Sequence, residues 1–359
     1  MADPTSDRPL RVVLAGFGLA GAVLHAPLIA TTEGLELVGA VTRAPERRAA
    51  LARAHPGAVA YDTLDDALAG GDVDLVVVAS PNRFHVPLAT AAIAAGSHVV
   101  VDKPLAVTAA EAGVVAARAE EAGVVLSVFH NRRWDDDFLT LGRVVAEGRL
   151  GALLRVESRF DRWRPALKEG AWREGGDLAD GGGLLLDLGS HLADQAVQLL
   201  GPVKSVYAEL DVRRQGAVVE DDVFLALEHA GGARSHLWAG MHAAHPAPRF
   251  RVLGDRAAFV SEGLDPQEEQ LRAGGSPLDA GFGRRAGSSA ARIFVGEEGA
   301  DGEPVTMEAG RWAAFYAGVV EAIRTEGAPP VSGAEAVAVL AILDAARESA
   351  ARRTVVAVG

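Results

Sequence analysis

Short apolar runs alternate with alanine-rich amphipathic segments in the first part of the chain, from residue 10 to about residue 130. The apolar runs are almost continuous in valine and leucine, which is typical of strands buried on both faces of a sheet. The predicted strands are Leu10–Ala15, Leu35–Val41, Leu75–Ala79, His98–Val101 and Val124–Phe129. Segments such as Val86–Ala95 and Ala109–Ala122 are predicted to be crossover helices. This alternation predicts an α/β domain with a doubly wound parallel sheet.

The pattern changes after about residue 150, where longer strands with alternating apolar and polar positions become common. The predicted strands here include Leu153–Phe160, Val203–Val212, Val223–Leu227 and Arg234–Trp238. A strong helix signal covers Leu184–Leu200, and two final helices are predicted near 309–326 and 333–351. Stretches rich in Gly, Pro and Ser near 274–290 and 296–304 predict a long surface loop. The second part is therefore predicted to be a separate α+β domain.

This change in pattern sets the predicted domain boundaries. The chain has 359 residues, which is enough for two domains with sizeable cores. Residues 1–130 are predicted to form the first domain and residues 131–332 the second. Residues 333–359 are predicted to be a C-terminal helix and tail that pack back on the first domain.

Composition and charge narrow the class of protein. Hydrophobic residues make up 49% of the chain, and no apolar stretch approaches the roughly 20 residues that a membrane span needs. The polar N-terminus does not resemble a signal peptide, so the expected location is cytoplasmic. A formal net charge of −13 argues against binding to nucleic acid or to anionic membranes. The absence of cysteine excludes disulfides, thiolate nucleophiles and cysteine-ligated metals.

A glycine motif follows the first predicted strand and begins a helix. The motif is G-x-G-x-x-G and consists of Gly16, Phe17, Gly18, Leu19, Ala20 and Gly21. In a βαβ unit the first glycine permits a tight turn, the second lets a pyrophosphate approach the backbone, and the third allows close helix–strand packing. The motif therefore predicts a dinucleotide site, with a purely structural glycine turn as the alternative.

The end of the second strand indicates which dinucleotide binds. NAD-specific sites usually carry an acidic residue there, but this chain has Thr42 and Arg43, followed closely by Arg47 and Arg48. Arginine attracts the 2′-phosphate of NADP, which an acidic residue would repel. The pattern favours NADP over NAD, with Arg43 as the phosphate clamp. A solvated basic start of a helix is the alternative interpretation.

Polar residues follow two more predicted strands. Ser80, Pro81, Asn82 and His85 follow the strand at Leu75–Ala79, and Asp102 and Lys103 follow the next one. The carboxyl ends of parallel strands are where α/β sheets bind ligands. A lysine at such a position could donate a hydrogen bond to a substrate oxygen, although a loop lysine paired with Asp102 is the alternative.

Asp187 and His191 lie four residues apart in the predicted helix of the second domain, and hence on one face of it. An acid and an imidazole so placed could both reach one substrate hydroxyl. A histidine paired within the core is the alternative. His236, His242 and His245 are also close in sequence, but they lack a nearby acidic ligand pattern, so no metal site is predicted.

These motifs together resemble the Gfo/Idh/MocA family of NAD(P)-dependent oxidoreductases, over nearly the whole chain. The family's Glu-Lys-Pro motif corresponds to Asp102-Lys103-Pro104, a conservative departure, and its Asp-x-x-x-His motif corresponds to Asp187 and His191. More narrowly, four stretches resemble the subgroup that contains NADP-dependent scyllo-inositol dehydrogenase. They are residues 17–21, 25–29, 129–135 and 265–272.

The resemblance implies a role for each matching residue. It assigns Lys103 to a hydrogen bond with the reacting oxygen, His191 to general acid–base work, and Asp187 to binding the substrate hydroxyl and orienting the histidine. It also places Asn82 and His85 at the edge of the cofactor site. The predicted cofactor-binding residues are Gly16, Phe17, Gly18, Leu19, Ala20, Gly21, Thr42, Arg43, Ser80, Pro81, Asn82, His85, Asp102 and Lys103. Arg132 and Trp163 are further substrate candidates, because a polyhydroxylated ligand needs polar partners and a flat apolar wall.

The resemblance further implies an N-terminal Rossmann domain, a C-terminal domain with an open mixed sheet, and a homodimer or homotetramer. The expected activity is the reversible oxidation of a secondary alcohol on a cyclic polyol or sugar. One alternative is a redox-assisted glycosidase or lyase of the same fold, which would retain NAD; another is a non-catalytic cofactor sensor. The basic site for the adenosine half argues against the first, and the presence of Lys103 and His191 argues against the second.

Overall fold

The computed structural model describes residues 8–168, 172–175, 180–285, 290–296 and 301–359. The chain divides into two units. The first contains Met1–Asn131, Gln267–Gly283 and Arg311–Val337, and the second contains Arg132–Pro266, Arg284–Gly310 and Ala338–Gly359. No helix in the described part of the chain is long and apolar enough to cross a membrane.

The strands and helices alternate in the first part of the chain, whereas strands dominate the second. The strands are β1 Leu10–Ala15, β2 Leu35–Val41, β3 Val59–Tyr61, β4 Leu75–Val78, β5 His98–Asp102, β6 Leu126–Phe129, β7 Leu153–Asp161, β8 Val203–Asp211, β9 Asp222–His229, β10 Arg234–Gly240, β11 Phe250–Gly254, β12 Ala258–Ser261, β13 Ala291–Phe294, β14 Glu303–Val305 and β15 Val356–Ala357. The α-helices are α1 Ala26–Thr31, α2 Pro45–Ala54, α3 Leu64–Leu68, α4 His85–Ala94, α5 Ala109–Glu121, α6 Asp136–Ala146, α7 Trp172–Gly175, α8 Ser190–Leu200, α9 Gln267–Arg272, α10 Ala313–Thr325 and α11 Gly333–Arg352. Two π-helical turns, Ala20–His25 and Leu185–Gly189, precede α1 and α8.

The first unit is built on a six-stranded sheet with the order β3-β2-β1-β4-β5-β6. Every neighbouring pair in it is parallel, with Leu10 opposite Leu35 and Ala15 opposite Val78. All four residues of β4 are fully buried, as the continuous apolar run predicted. This strand order is that of dinucleotide-binding Rossmann domains, so the predicted doubly wound parallel sheet is confirmed.

An aromatic cluster packs beside the last strand of this sheet. The ring of Phe129, at the end of β6, lies 5.0 Å from Phe315 and 5.9 Å from Tyr316, both on α10. His25 completes the cluster, with its ring 4.5 Å from Phe129 and its Nδ1 2.6 Å from the Tyr316 hydroxyl. Residues on α10 therefore belong to the core of the first unit, although they are far from β6 along the chain.

The second unit is built on a nine-stranded sheet with the order β14-β13-β12-β11-β7-β10-β9-β8-β15. The β7–β10 pair is parallel and the other neighbouring pairs are antiparallel. The side chains of β9 and β10 alternate between buried and partly exposed, which matches the alternating sequence pattern. The predicted α+β domain with an open, mostly antiparallel mixed sheet is confirmed.

The division into units differs from the predicted boundaries at three places. Residues 267–283 and 311–332, predicted for the second domain, belong to the first unit. Most of the predicted C-terminal segment, from residue 338 onwards, belongs to the second unit. The reason is strand pairing, because β15 pairs with β8 and the Val358 N–H donates to the Lys204 carbonyl oxygen at 2.9 Å.

The predicted surface loop is also only partly a loop. Residues 274–285 contain neither helix nor strand, and residues 286–289 lie outside the described residues. The second stretch, 296–304, runs into β14, which continues the sheet, and residues 297–300 lie outside the described part.

Three consecutive aspartates, Asp135 to Asp137, are buried at the start of α6. Asp136 accepts a hydrogen bond from Arg285, with 2.7 Å between Nη2 and Oδ1. Asp137 accepts none from the described residues, and its nearest cations are Arg249 at 3.6 Å and Arg285 at 3.8 Å. Burial raises the pKa of Asp137 to about 6 and lowers the pKa of Arg249 to about 10. The charge of Arg249 partly opposes the rise at Asp137, and the charge of Asp137 partly opposes the fall at Arg249.

This burial predicts that the contribution of Asp137 to the free energy of unfolding increases in acid over a limited pH range. The folded protein binds a proton at Asp137 near pH 6, whereas the unfolded chain binds it only near the ordinary value of 3.8. The free energy of unfolding, compared with that of Asp137→Asn, should therefore rise as the pH falls through 6 and level off below about 4, by at most about 3 kcal/mol. Urea unfolding between pH 8 and pH 4 measures this difference, with Asp72→Asn as a control at an exposed carboxylate. A difference that does not change with pH would contradict the assignment.

Candidate active site

Four loops of the first unit follow the carboxyl ends of neighbouring parallel strands. Gly16 follows β1, Thr42 follows β2, Ser80 comes just after β4, and Lys103 follows β5. Because the order β2-β1-β4-β5 puts these strand ends side by side, the predicted cofactor-binding residues are brought to one edge of the sheet. Ligands of α/β sheets bind at this edge, where the strand order reverses.

The first and third glycines of the motif are required by close backbone packing. Gly16 has a φ of +121°, and a Cβ added to it would lie 2.5 Å from the carbonyl oxygen of Ala79, just beyond β4. A Cβ on Gly21 would lie 2.1 Å from the carbonyl oxygen of Gly16. No side chain fits at either position without moving the backbone.

The second glycine, Gly18, faces open space. A Cβ added there would have Nη1 of Arg47 as its nearest neighbour among the described residues, at 3.9 Å. The π-helical turn that starts at Ala20 follows at once, so backbone N–H groups and a guanidinium adjoin this space. The residues present therefore fit a dinucleotide pyrophosphate, which needs close approach to the backbone and positive charge.

The three arginines after β2 have different surroundings. Arg48 donates from Nε to the Thr42 carbonyl oxygen at 3.0 Å and pairs with Asp62 at 2.6 Å, which commits it to the structure of this loop. Arg43 is exposed and donates from Nε to the Asp62 carbonyl oxygen at 3.2 Å. Arg47 is also exposed and lies beside Gly18. The sequence analysis put Arg43 first among three nearby arginines as the phosphate clamp, and the position of Arg47 beside Gly18 makes Arg47 a second candidate.

His85 ties together the loops that follow β4 and β5. Its Nδ1 lies 2.7 Å from the Pro104 carbonyl oxygen and its Nε2 lies 2.9 Å from the Ser80 carbonyl oxygen. The ring is buried, as is the neighbouring Asn82. Both ring nitrogens thus contact the backbone of the strand-end loops, one of which contains Lys103.

Asp102 and Lys103 are both buried at the end of β5, with 9% of each residue exposed. The Lys103 N–H donates to Oδ1 of Asp102 at 2.9 Å. Oδ2 of Asp102 lies 4.0 Å from Nε2 of His25. Burial lowers the pKa of His25 and Asp102 only partly opposes this, so His25 is neutral at pH 7.

In the second unit, Asp187 and His191 lie on one continuous helical segment. Asp187 is in the π-helical turn Leu185–Gly189, and His191 is in the first turn of α8. His191 is 4% exposed, with its ring 6.4 Å from that of Phe160, while Asp187 is partly exposed and pairs with Arg173 at 3.4 Å. The sequence analysis predicted a regular helix here. The π-helical turn is a difference, and such turns recur at functional sites.

Buried polar contacts hold α8 in place. Arg133 binds the Asp194 carboxylate with Nη2 at 2.6 Å, and both side chains are almost fully buried. Gln195 donates to the Arg132 carbonyl oxygen at 2.8 Å and accepts from Arg249 at 2.6 Å. Sequence reasoning missed Asp194, Gln195 and Arg249, because their partners are 54 to 63 residues away and no local pattern marks them.

The remaining candidates lie in the same unit. Arg132 is buried, pairs with Asp135 at 3.0 Å and stacks on Phe160, with 5.1 Å between the guanidinium and the ring centre. Phe160 thus has both Arg132 and His191 as neighbours. Trp163 is 58% exposed, just beyond β7.

Two of the three histidines that are close in sequence, His236 and His242, have different neighbours. His236 is on β10 beside Trp238, with 6.1 Å between the two rings, whereas His242 forms a backbone bridge with Trp163. Across the residues that the structure describes, no group of three or more His, Cys, Asp or Glu side chains could hold a metal ion.

Comparison with known proteins shows the family. Residues 10–130 match the model of an oxidoreductase family with an NAD-binding Rossmann fold, and residues 138–260 match the model of the GFO/IDH/MocA C-terminal domain. This chain belongs to the Gfo/Idh/MocA family. The resemblance found in the sequence is therefore confirmed, and this family member is an NAD(P)-dependent oxidoreductase.

Its similarity to individual relatives covers almost the whole chain. It is 39% identical to the uncharacterized oxidoreductase YdgJ of Escherichia coli, over 96% of this chain and 97% of YdgJ. It is 33% identical to scyllo-inositol 2-dehydrogenase (NADP(+)) IolW of Bacillus subtilis, over 95% and 93% of the two chains. The solved structure of the YPO2259 oxidoreductase from Yersinia pestis has a TM-score of 0.90 at 35% identity, covering 100% of this chain and 99% of that one.

The glycine geometry predicts that two alanine substitutions in this Gfo/Idh/MocA protein act differently. Gly18→Ala should leave the thermal midpoint unchanged, because its Cβ meets no backbone, yet weaken the binding of NADH or NADPH by about tenfold or more as the methyl group enters the pyrophosphate space. Gly21→Ala should lower both the thermal midpoint and the affinity for the cofactor, because its Cβ overlaps Gly16. Thermal melts and fluorescence titrations with NADH and NADPH distinguish the two variants. Normal cofactor binding by Gly18→Ala would disprove the placement of the pyrophosphate.

Proposed function

We propose that this protein reversibly oxidises a secondary alcohol of a cyclic polyol or sugar, with NADP as its cofactor. The observation that carries the proposal is that a partly exposed Asp187 and a buried His191 lie four residues apart on one helical segment. An imidazole so placed can remove the proton of a hydroxyl that the carboxylate binds. In an NAD(P)-dependent oxidoreductase, such a pair suits alcohol–carbonyl chemistry.

Each proposed catalytic residue has a distinct task. Asp187 binds the substrate hydroxyl, and His191 accepts its proton at a ring nitrogen. Lys103 donates a hydrogen bond to the same oxygen as it becomes a carbonyl, which stabilises the developing charge. When bound, the nicotinamide cofactor supplies the hydride acceptor. In the reverse direction His191 returns the proton to the alcohol oxygen.

The surroundings of these residues support Lys103 and His191 in these tasks. Asp102 accepts from the Lys103 backbone and His85 holds the adjoining Pro104 carbonyl, so the loop that carries Lys103 is fixed at two points. The ring of Phe160, which lies edge-on to that of His191, and the anchored α8 restrict the orientation of His191. A catalytic group that is already oriented loses little freedom when the substrate binds.

Two observations support a polyol or sugar as the substrate class. Asp187 and Arg173 offer an acceptor and donors that suit several hydroxyl groups, and the exposed ring of Trp163 could cover an apolar sugar face. A relative that is similar over nearly the full chain is named for scyllo-inositol as substrate. Trp163 and Arg132 remain substrate candidates on these grounds.

For the cofactor, we propose that Arg43 and Arg47 bind the 2′-phosphate of NADP. Both guanidinium groups are exposed, and both lie in the loop and helix start that follow β2, where the adenosine ribose of a Rossmann cofactor binds. The carboxylate that would favour NAD is missing from the end of β2. Phosphate binding by guanidinium is strong because the hydrogen bonds are assisted by charge.

The homodimer or homotetramer implied by the family resemblance stays a prediction.

The proposed activity predicts that NADP is reduced by a polyol and that this requires Lys103. In initial-rate assays across inositol stereoisomers and common aldoses, at least one substrate should reduce NADP faster than NAD. Lys103→Ala should lower kcat by about 100-fold or more while NADPH still binds, because one hydrogen bond to the reacting oxygen is lost. If NADP binds and no polyol or sugar is turned over, the dehydrogenase proposal is wrong. A cofactor sensor or a glycosidase that retains its cofactor would then explain the fold better.

The cofactor proposal predicts a selective loss of affinity for NADP. Arg43→Ala should raise the KM for NADP by about tenfold and leave the KM for NAD unchanged, because it removes one charge-assisted hydrogen bond. Arg47→Ala should raise the KM for NADP more than the KM for NAD, because Arg47 also lies beside the pyrophosphate space at Gly18. Arg53→Ala is the control, because it removes an equal charge from the last turn of α2. It should change the KM for NADP and the KM for NAD by no more than about twofold. Equal effects on NADP and NAD would show that these arginines do not contact the 2′-phosphate.

A further inference from the structure

The start of the helical segment that carries Asp187 and His191 is held by a residue from another part of the chain. Glu220, two residues before β9, accepts the N–H of Leu185 with its side-chain Oε1 at 3.1 Å. Its backbone carbonyl oxygen accepts the N–H of Leu184 at 3.0 Å. The first N–H groups of a helix have no acceptor within the helix, and Glu220 supplies an acceptor for two of them.

Gly183 makes room for this carboxylate. An added Cβ on Gly183 would lie 2.2 Å from Oε1 and 2.6 Å from Oε2 of Glu220, and its three nearest atoms all belong to that side chain. The carbonyl oxygen of Gly183 also accepts the N–H of Asp187 at 3.2 Å. Gly183, which adjoins the Glu220 carboxylate, is thus hydrogen-bonded to the backbone of Asp187, a proposed catalytic residue.

Glu220 is itself held rigidly. The next residue, Asp221, is fully buried, and its carboxylate accepts from Nε of Arg214 at 2.8 Å and from the N–H groups of Arg213 and Arg214. Arg214 is 5% exposed. This ion pair fixes the backbone next to Glu220. The Glu220 carboxylate therefore accepts the Leu185 N–H from a fixed position.

The charge of Glu220 also suits its place. A carboxylate at the N-terminal end of a helical segment interacts favourably with the exposed N–H groups. The segment that begins at Leu185 continues through α8 to Leu200, and Arg133 and Gln195 contacts hold its later turns. Glu220 is the corresponding contact at its first turn.

We propose that Glu220 is a positioning residue that fixes the orientation of Asp187 and His191, an inference that rests on the proposed function of that pair. It acts through the backbone of the first turn. Its loss should therefore impair the chemical step more than cofactor binding.

The test is a double-mutant cycle between Glu220 and Gly183. Glu220→Ala should lower kcat for the polyol by about a hundredfold, because small displacements of catalytic groups are costly, with the KM for NADP changed by no more than about twofold. Glu220→Gln keeps an acceptor for the Leu185 N–H and should restore most of kcat. Gly183→Ala should lower kcat strongly in the wild type but much less in the Glu220→Ala background, where the overlapping side chain is gone. The backbone strain at Gly183 is common to both backgrounds and cancels in the cycle.

Two further measurements keep the outcomes distinct. Asp222→Asn, which alters an exposed carboxylate two residues along, is the control and should leave kcat and KM unchanged. Hydrogen exchange of the amides from Leu185 to His191 should be faster in Glu220→Ala, and this does not depend on turnover. Additive effects of Gly183→Ala and Glu220→Ala, or a wild-type kcat in Glu220→Ala, would overturn the inference while leaving the dehydrogenase proposal intact. A wild-type protein that turns over no polyol would instead contradict the proposed function, and the exchange rates would still report whether Glu220 holds the helix.

Discussion

The second unit depends on the pairing of charges that folding removes from water. A buried ion without a partner costs several kcal/mol, so Arg133, Arg214 and Arg249 restrict which elements can lie beside them. Arg133 holds α8 through Asp194, and Arg214 holds the approach to β9 through Asp221. Apolar packing alone would tolerate small shifts between these elements, whereas charged hydrogen bonds require particular distances and directions. The helical segment with Asp187 and His191 is thereby held by polar contacts at its first turn, from Glu220, and near its middle, from Arg133.

The first unit meets a different constraint, which is the close approach of backbone to backbone. The loop after β1 passes so near Ala79 and folds so tightly on itself that only glycine fits at positions 16 and 21. The same tight turn leaves open space at Gly18 and brings the N–H groups of the following turn beside it. A cofactor site with room for a pyrophosphate is thus a consequence of strand order and steric exclusion, and needs few specific side chains.

The two constraints suit different parts of an oxidoreductase. Backbone N–H groups and arginines bind the phosphates of any dinucleotide with the same geometry, so this part of the protein can be encoded in a short local motif. The groups that act on the alcohol must instead be oriented relative to one substrate carbon. That accuracy requires support from contacts such as those of Phe160, Asp194 and Glu220 with the segment around His191.

The sequence by itself determined the two folds, the approximate limits of the strands that it predicted, the glycine loop and the Asp187–His191 spacing, because these depend on periodicity and on neighbours within one turn or one strand. It also indicated Arg43, but Arg47 appeared beside Gly18 only in the folded loop. Only the tertiary structure showed that residues from 338 onwards belong to the second unit, that the helix with His191 begins with a π-helical turn, and that Glu220 holds this helix from 35 residues away. Local patterns could not show these features, because many polar residues along the chain could serve as such partners. Which of them meet is decided by strand pairing and by the requirement that each buried charge be matched.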